Sequence, residues 1–159
     1  MNHPYIPENL LPISVLPPAA DAAGRTGAWV SLKNAVRAWV EFYVDQGNAA
    51  TIAVTINQAS AVAGTGSKAI TNAVPIWANQ DATAAAFTRQ TDAVSFTTSA
   101  AVKKKIVIFE IDPASLDVAG GFDCITCITG ASNAANITSA KIWIETSYGQ
   151  ATAINALAD

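Results

Sequence analysis

The stretch VRAWVEFYV, residues 36–44, decides the fold, because apolar and polar side chains alternate along it. Side chains two residues apart lie on the same face of an extended strand. The apolar set is Val36, Ala38, Val40, Phe42 and Val44, whereas Trp39 and Tyr43 fall on the opposite face. Such a period of two is typical of a strand that buries one side in a protein core. The stretch therefore predicts a half-buried strand with two outward aromatic side chains.

Three further stretches show strand patterns. TIAVTIN (51–57) and KIWIET (141–146) also alternate, and the second places Trp143 on its outward side. KIVIFEI (105–111) is apolar on both sides, as a central strand is. Turn signals rich in glycine and asparagine separate these stretches, and the sequence shows no long amphipathic helix pattern. We therefore predict an all-β fold, an antiparallel β-sandwich of about eight strands that is jelly-roll-like and covers residues 27–159.

Residues 1–26, the N-terminal arm, differ from the rest of the chain. Five of the seven prolines lie within the first 18 residues, and proline removes a backbone donor from helices and strand ladders. We therefore expect an extended arm that does not pair as a strand. The arm is nevertheless apolar, through Tyr5, Ile6, Leu10, Leu11, Ile13, Val15 and Leu16. These side chains need a surface to cover, which is either a neighbouring subunit or the arm's own domain.

The composition limits the classes of partner. The chain is 51% hydrophobic and only 13% charged, with a net charge of −3. This excludes a disordered protein, and it means that part of the surface is hidden against a partner or is solvated by Ala, Thr, Ser and Asn. Without a basic stripe we expect no nucleic-acid partner. No apolar run approaches the roughly 20 residues that span a bilayer, so we expect no membrane partner, and the first residues lack the features of a secretory signal peptide.

Two short motifs predict local structure. DPASLD, residues 112–117, predicts one helical turn with Asp112 as its cap and Pro113 at its first position. The basic run Lys103–Lys105 leads into the apolar stretch that follows it. Lysines in such a place commonly solvate the end of a strand and discourage aggregation. We expect that role for all three lysines.

The two cysteines, Cys124 and Cys127, have the C-x-x-C spacing of redox and zinc sites. Their surroundings, FDCITCIT, follow a strand pattern, and residues three apart on a strand point to opposite faces. Two thiols on opposite faces can neither share a metal nor close a normal disulfide. A zinc site needs further ligands, and the single histidine is His3, in the proline-rich arm. We predict two small buried side chains, with no metal and no cofactor.

Other catalytic patterns are equally weak. A Ser-His-Asp arrangement would have to recruit the single histidine from the arm, and no spacing pairs the scattered carboxylates. GTGSK, residues 64–68, lacks the first glycine and the following helix of a phosphate-binding loop. The sequence therefore predicts no catalytic residues and a protein that is not an enzyme.

The outward aromatic side chains are the unusual feature. Trp29, Trp39, Tyr43 and Trp143 all fall on the polar phase of their strands. Tryptophan on the outside of a sheet is costly to leave in water and is enriched at interfaces. These residues, with the apolar side chains of the arm, are the candidate interface. The alternative is that a second sheet, or the arm, covers them.

Two segments resemble small virion structural proteins of tailed bacteriophages, most closely head decoration (cement) proteins. Residues 22–71 carry a Gly-Arg-x-Gly leader, a VSLKN strand and a TxAVTxxQA…GTGxKA hairpin. Residues 109–137 carry the turn LDVAGGFDC. The resemblance covers roughly residues 22–148 as a pattern of strands and turns, and it names no functional residue.

The resemblance implies a structural virion protein on the phage head surface, assembled in the bacterial host cytoplasm. Cement proteins are often β-sandwiches, some of them jelly rolls, and they sit between capsomers as dimers or trimers. The implied partners are the phage major capsid protein and further copies of the chain. Such a protein binds the assembled shell and stabilises it by bridging neighbouring capsid subunits.

Two rival functions remain. The first is a tail, fibre or connector component, including an adhesion module whose outward tryptophans stack on host carbohydrate. That function needs a concave site with aromatics beside Asp and Asn, whereas the sequence places its aromatics on separate strands with no visible cluster. The second is a hydrolase, which the single histidine disfavours.

Overall fold

The computed structural model of the chain describes residues 6, 9–148 and 154–158, which form an all-β structure. The strands are β1 (Leu10–Ala20), β2 (Arg25–Thr26), β3 (Val30–Ser31), β4 (Ala35–Gln46), β5 (Ala53–Ala59), β6 (Lys68–Ala69), β7 (Ile76–Asn79), β8 (Thr88–Arg89), β9 (Ser95–Thr97), β10 (Lys104–Ile111), β11 (Cys124–Thr129) and β12 (Asn136–Thr146). Two short 3₁₀ turns, Pro113–Ser115 and Val118–Gly120, lie between β10 and β11.

The strands form two antiparallel sheets that pack as a β-sandwich, as predicted. Sheet A has the order β1-β12-β4-β10-β7-β8, and sheet B has the order β2-β11-β5-β6, with β3 paired to β11 and β9 paired to β5. The chain passes repeatedly from one sheet to the other, and the first and last strands lie side by side. This alternation is the arrangement of a jelly roll. Eight of the strands in the described residues have three or more residues, which agrees with the predicted number.

The core lies between the two sheets and is built by the predicted alternation. Val40, Phe42 and Val44 are fully buried, as are Ile142 and Ile144 on β12. Phe42 meets Phe109 of β10 edge to face, with 5.8 Å between ring centroids. Sheet B contributes Val54, Ile56, Ile125 and Cys127, and Ile52 joins them from the residue just before β5. Val36 was predicted to be buried with this set, but it is exposed because it lies at the start of β4.

The N-terminal arm contains a strand, contrary to the expectation from its prolines. β1 pairs with β12 along the edge of sheet A, and Pro12 lies opposite Trp143. An edge strand needs backbone hydrogen bonds on one side only, so proline is tolerated there. Register shifts interrupt the pairing on both sides of Leu16. The expectation that the prolines exclude a ladder is therefore wrong for residues 10–20.

Beyond β1, hydrogen bonds from the following residues connect this edge of sheet A to sheet B. The Ala28 amide donates to the Val15 carbonyl over 3.0 Å. The Arg25 guanidinium donates to the Thr138 carbonyl over 2.8 Å and to the Pro17 carbonyl over 2.5 Å. The described part of the arm thus packs on its own sandwich. The division of the chain at residue 26 stays a prediction.

The predicted helical turn at residues 112–117 is confirmed as the 3₁₀ turn Pro113–Ser115. The Asp112 carboxylate accepts a hydrogen bond from the Ala114 amide over 2.9 Å, and Pro113 occupies the first position of the turn. Local capping chemistry was therefore enough to predict this turn.

Lys105 corrects the expectation for the basic run. Lys103 and Lys104 are exposed, but Lys105 is fully buried on the inner side of sheet A. Its Nζ donates to Gln46 Oε1 over 2.7 Å and to the Ser99 carbonyl over 2.6 Å. Burial lowers the pKa of the Lys105 ammonium below its ordinary value of 10.5. The third lysine is a core residue held by neutral oxygens and does not solvate the end of the strand.

Candidate interaction surface

The outer side of sheet A carries an apolar surface, which we call the aromatic face. Its members are half-buried or exposed side chains from four neighbouring strands: Trp39, Tyr43, Trp77, Ile106, Ile108 and Trp143. Each points away from the core, because the alternate residues of its strand are buried. Strand pairing aligns these side chains across the sheet, and the outward aromatics of separate strands become one surface.

Strand register creates the aromatic pairs. Trp39 of β4 lies directly opposite Trp143 of β12. On the other side of β4, Tyr43 lies opposite Ile106 of β10, and Ile108 lies opposite Trp77 of β7. Directly opposed side chains have Cβ atoms about 4.5–5.5 Å apart and contact one another. The face therefore has an apolar centre made of side chains from four strands, with Glu41 opposite Ile108 and Glu110 opposite Trp39 inside it.

Two open cavities lie in the aromatic face and share Glu41. The first has a volume of about 240 Å³ and is lined by Leu10, Trp39, Glu41, Ile108 and Trp143. The second, of about 310 Å³, lies over β1, β12 and β4 and is lined by Ser14, Leu16, Pro18, Glu41, Tyr43, Ser139, Ala140 and Lys141. The Trp143 indole N–H donates to Glu41 Oε2 over 2.8 Å. One end of the resulting groove is apolar and the other is polar.

Three strand-to-strand pairs of opposite charge lie on the outer side of sheet A, two at its ends and one, Lys141 with Glu41, across its middle. Glu145 lies opposite Arg37, Lys141 opposite Glu41, and Asp45 opposite Lys104. Opposite charges directly across a strand pair are mildly stabilising. At the far edge, Arg89 lies over the Trp77 ring, 5.8 Å from its centroid, which is within cation–π range. The face is close to electrically balanced.

The structure sorts the predicted interface residues into separate groups. Leu10, Trp39, Tyr43 and Trp143 line the groove. Ile13, Val15 and Leu16 belong to the core, and Leu11 packs against it. Leu16 also borders the polar cavity. Ile6 is exposed, and Tyr5 lies outside the described residues. The arm therefore stabilises its own sandwich through the three buried side chains.

Trp29 lies at one end of the sandwich, apart from the aromatic face. Gly64 lies against the Trp29 indole and has a left-handed backbone conformation, with a φ of 78°. A Cβ at Gly64 would come 2.5 Å from the indole nitrogen, so only glycine fits there. Nearby, Lys68 Nζ lies 2.5 Å from the Asp117 carboxylate and 4.2 Å from the centroid of the Phe122 ring. The Lys68 hydrogen bond lowers the pKa of the Asp117 carboxyl.

These contacts join the motifs on which the sequence resemblance rests. The GTGSK loop, the VSLKN strand and the LDVAGGFDC turn meet at this end of the sandwich, where the Leu32 amide donates to the Asp123 carbonyl over 2.8 Å. Contacts among the three motifs hold these segments of the chain together. The motifs are structural elements of the fold.

Sequence reasoning missed three members of the aromatic face: Trp77, Ile106 and Ile108. A signal existed for the two isoleucines, because KIVIFEI is apolar on both sides. We interpreted that pattern as a central strand, and β10 is indeed internal to sheet A. However, its outer side faces a groove, and none of the residues that the structure describes forms a further layer over it. The apolar side chains on the second side of KIVIFEI therefore indicated the apolar outer surface of sheet A.

Cys124 and Cys127 are both buried, as predicted, and their sulfurs are not joined in a disulfide. Burial raises the pKa of the Cys127 thiol to about 12, so the reactive thiolate is scarce at neutral pH. In the part of the chain that the structure describes, no group of three or more His, Cys, Asp or Glu residues is placed to hold a metal ion. No helix within the same residues is long and apolar enough to cross a membrane.

Comparison with known proteins bears on the fold. No protein family matches the sequence, and no curated protein matches it. The structure is similar to that of the SPBc2 prophage-derived protein YomS, with a TM-score of 0.50 at 9% identity, over 91% of this chain and 100% of the other. It has a weaker likeness to the N-terminal cellulose-binding domain of Cellulomonas fimi β-1,4-glucanase C, with a TM-score of 0.30 at 10% identity, over 91% and 80% of the two chains. The first likeness supports the sandwich, and the second is too low to support any conclusion.

Proposed function

We propose that this chain is a structural protein of a phage particle, which binds the assembled capsid and stabilises it by bridging neighbouring capsid subunits. The observation that carries the proposal is the aromatic face. Its paired tryptophans and isoleucines remain partly open to water, although the chain has a well-formed core elsewhere. Tryptophan and tyrosine are enriched at protein interfaces, and a surface of this kind fits a protein that acts by association.

Two independent likenesses support a phage origin. The strand and turn motifs of residues 22–71 and 109–137 resemble small virion structural proteins. The fold resembles that of a prophage-derived protein. The likeness in fold is one of shape at low identity, so the assignment to the phage head surface rests on the sequence motifs.

The mechanism of stabilisation is linkage. A protein that binds the assembled shell, and not its separated subunits, shifts the equilibrium toward the shell by an amount that grows with its concentration over its Kd. Repeated attachment over a symmetric surface adds avidity. The chain would thus act by association alone, without any covalent chemistry.

The test is the copy number in the particle that this chain belongs to, together with the effect of removing the chain. We expect a number of copies of the same order as that of the major capsid protein. We also expect particles that lack the chain to release DNA at a lower temperature, and the purified protein to restore the original temperature when it is added back. A few copies per particle, or an unchanged release temperature, would contradict a cement function and favour a connector or fibre component.

A second candidate is a carbohydrate-binding adhesion module. The sequence showed no aromatic cluster, but the structure brings Trp39 and Trp143 together beside a groove lined by Ser14, Ser139 and Lys141. Aromatic rings that flank polar groups can stack on sugars. Binding of host surface polysaccharide that quenches tryptophan fluorescence in the wild type, but not in Trp39→Ala, would favour this candidate.

A further inference from the structure

We propose that the aromatic face is a self-association surface, on which a second copy of the chain docks through its own aromatic face across a two-fold axis. The inference rests on the proposed function for its biological meaning. A dimer carries two capsid-binding copies and can therefore bridge two capsid subunits, whereas a single sandwich would need two different attachment sites. Two-fold dimers that use the same patch on both partners are the commonest oligomers of soluble proteins.

The size of the face fits a stable dimer. β4 has 12 residues and β12 has 11. At a rise of about 3.3 Å per residue and a strand spacing of about 4.8 Å, the four strands of the aromatic face cover roughly 550 Å², and the neighbouring strand β1 extends the surface to roughly 700 Å². A standard protein interface buries about 800 Å² on each partner. The outer side of sheet A therefore offers about the area that a specific dimer requires, in one continuous piece.

The charges on the face suit a second copy. A surface of one dominant sign repels itself, but here each charged row carries both signs. Glu145 and Arg37 lie at one end of the face, and Asp45 and Lys104 at the other. A two-fold rotation can then place acidic groups of one copy near basic groups of the other. A basic or acidic partner gains little from such a balanced rim, which favours self-recognition.

The centre of the face supplies the anchors. Trp39, Trp143 and Ile108 surround the apolar cavity of about 240 Å³. Binding energy in interfaces concentrates in such central aromatic clusters, with a polar rim that excludes water. The open cavity can accept an apolar side chain from the facing copy, because Glu41, which also lines it, already accepts a hydrogen bond from the Trp143 indole.

The test is the oligomeric state of the full chain, measured by sedimentation velocity across a range of concentrations. We compare the wild type with Ile108→Glu, which puts a charge into the apolar centre twice per dimer. The matched control is Val118→Glu, because Val118 is exposed on a turn between β10 and β11, outside the aromatic face. We expect a wild-type dimer, a Kd raised by about 100-fold or more in Ile108→Glu, and an unchanged dimer in Val118→Glu. Circular dichroism and urea unfolding confirm that each variant folds.

If Ile108→Glu fails to fold, Tyr43→Glu takes its place, because Tyr43 is also on the face and half-buried. A wild type that stays monomeric at high concentration overturns the inference, as does a dimer that neither variant weakens. A monomer that still coats capsids leaves the proposed function intact, whereas a dimer that fails to bind capsids refutes only that function. A monomer whose tryptophan fluorescence responds to polysaccharide assigns the face to carbohydrate and also overturns the inference.

Discussion

The outer faces of the two sheets differ in chemistry, although both belong to one sandwich. The outer face of sheet A carries tryptophan, tyrosine and isoleucine within a frame of paired charges. The outer face of sheet B carries small side chains, namely Ala53, Thr55 and Asn57 on β5, and Ser95 and Thr97 on β9. Ile128 on β11 is its half-buried apolar neighbour. The same backbone architecture thus presents one side with large apolar side chains and one side with small ones, and under our proposal only the first binds a partner.

The difference explains how a chain with only 13% charged residues presents its surface. Sequence composition left two possibilities, a hidden surface or solvation by small polar residues. The outer face of sheet B fits the second possibility, because threonine favours strands and small polar side chains form hydrogen bonds with water. The large apolar side chains are collected on sheet A, whose outer face is the candidate for the first possibility.

The largest expected effect comes from deleting residues 1–20, which removes β1 and with it one wall of the polar end of the groove. Ile13, Val15 and Leu16 would leave the core, and each buried aliphatic side chain contributes about 1.5–3 kcal/mol. The sum is comparable to the whole stability of a typical domain, about 5–15 kcal/mol. We expect the truncated protein to lose cooperative urea unfolding. Deletion of residues 1–8, which keeps all of β1, is the control that should unfold as the full chain does. A truncated protein that unfolds as cooperatively as the full chain would contradict the assignment of β1 to sheet A.

A smaller effect is expected at Lys105, the charged exception on the inner side of sheet A. Its folded-state pKa lies below the ordinary 10.5 because it is buried. Between these two values the unfolded chain binds more protons than the folded chain, so the free energy of unfolding rises with pH in that window. We expect Lys105→Met to remove this rise, which urea unfolding at several pH values from 7 to about 10.5 measures.

The matched control is Lys104→Met, which changes an exposed neighbour on the same strand. It should leave the pH dependence as it is. At neutral pH we expect Lys105→Met to change stability by only about 1–2 kcal/mol, because its acceptors keep other donors. Gln46 Oε1 still accepts from the Thr98 hydroxyl over 3.2 Å, and the Ser99 carbonyl still accepts from Gln46 Nε2 over 3.0 Å. A parallel pH profile in Lys105→Met and the wild type would show that the lysine stays charged in the core.

Much of the sandwich could be predicted from local pattern, and the reason is physical. Alternation in residues 36–44 determines which side chains are buried whatever the strand's neighbours are. Even the burial of Lys105 could have been predicted. Lys105 lies four residues before Phe109 on the same strand, so both side chains point to the inner side of the sheet. The basic run obscured that pattern, since lysine is rarely buried.

The aromatic face could not be predicted in the same way. Trp39 and Trp143 meet only because β4 and β12 are neighbours in one particular register. No local pattern determines the pairing of segments about a hundred residues apart. The edge position of β1 could not be predicted locally either. Proline is tolerated in a strand where one side of the strand makes no backbone hydrogen bonds, and the local sequence does not show which strand lies at the edge of the sheet.

The smallest effect is expected on sheet B, and it tests the contrast between the two faces directly. Thr55 lies on the outer face of sheet B, half-buried between Ile128 and Ser95. Thr55→Lys keeps the strand and adds a charge to the side with small side chains, so we expect the free energy of unfolding to change by about 0.5 kcal/mol or less. We also expect no change in sedimentation. Its counterpart is Tyr43→Lys, which adds the same charge to the aromatic face and should weaken self-association. If Thr55→Lys weakens association as much as Tyr43→Lys does, the small polar face is the adhesive one, and the distinction between the two sheets is wrong.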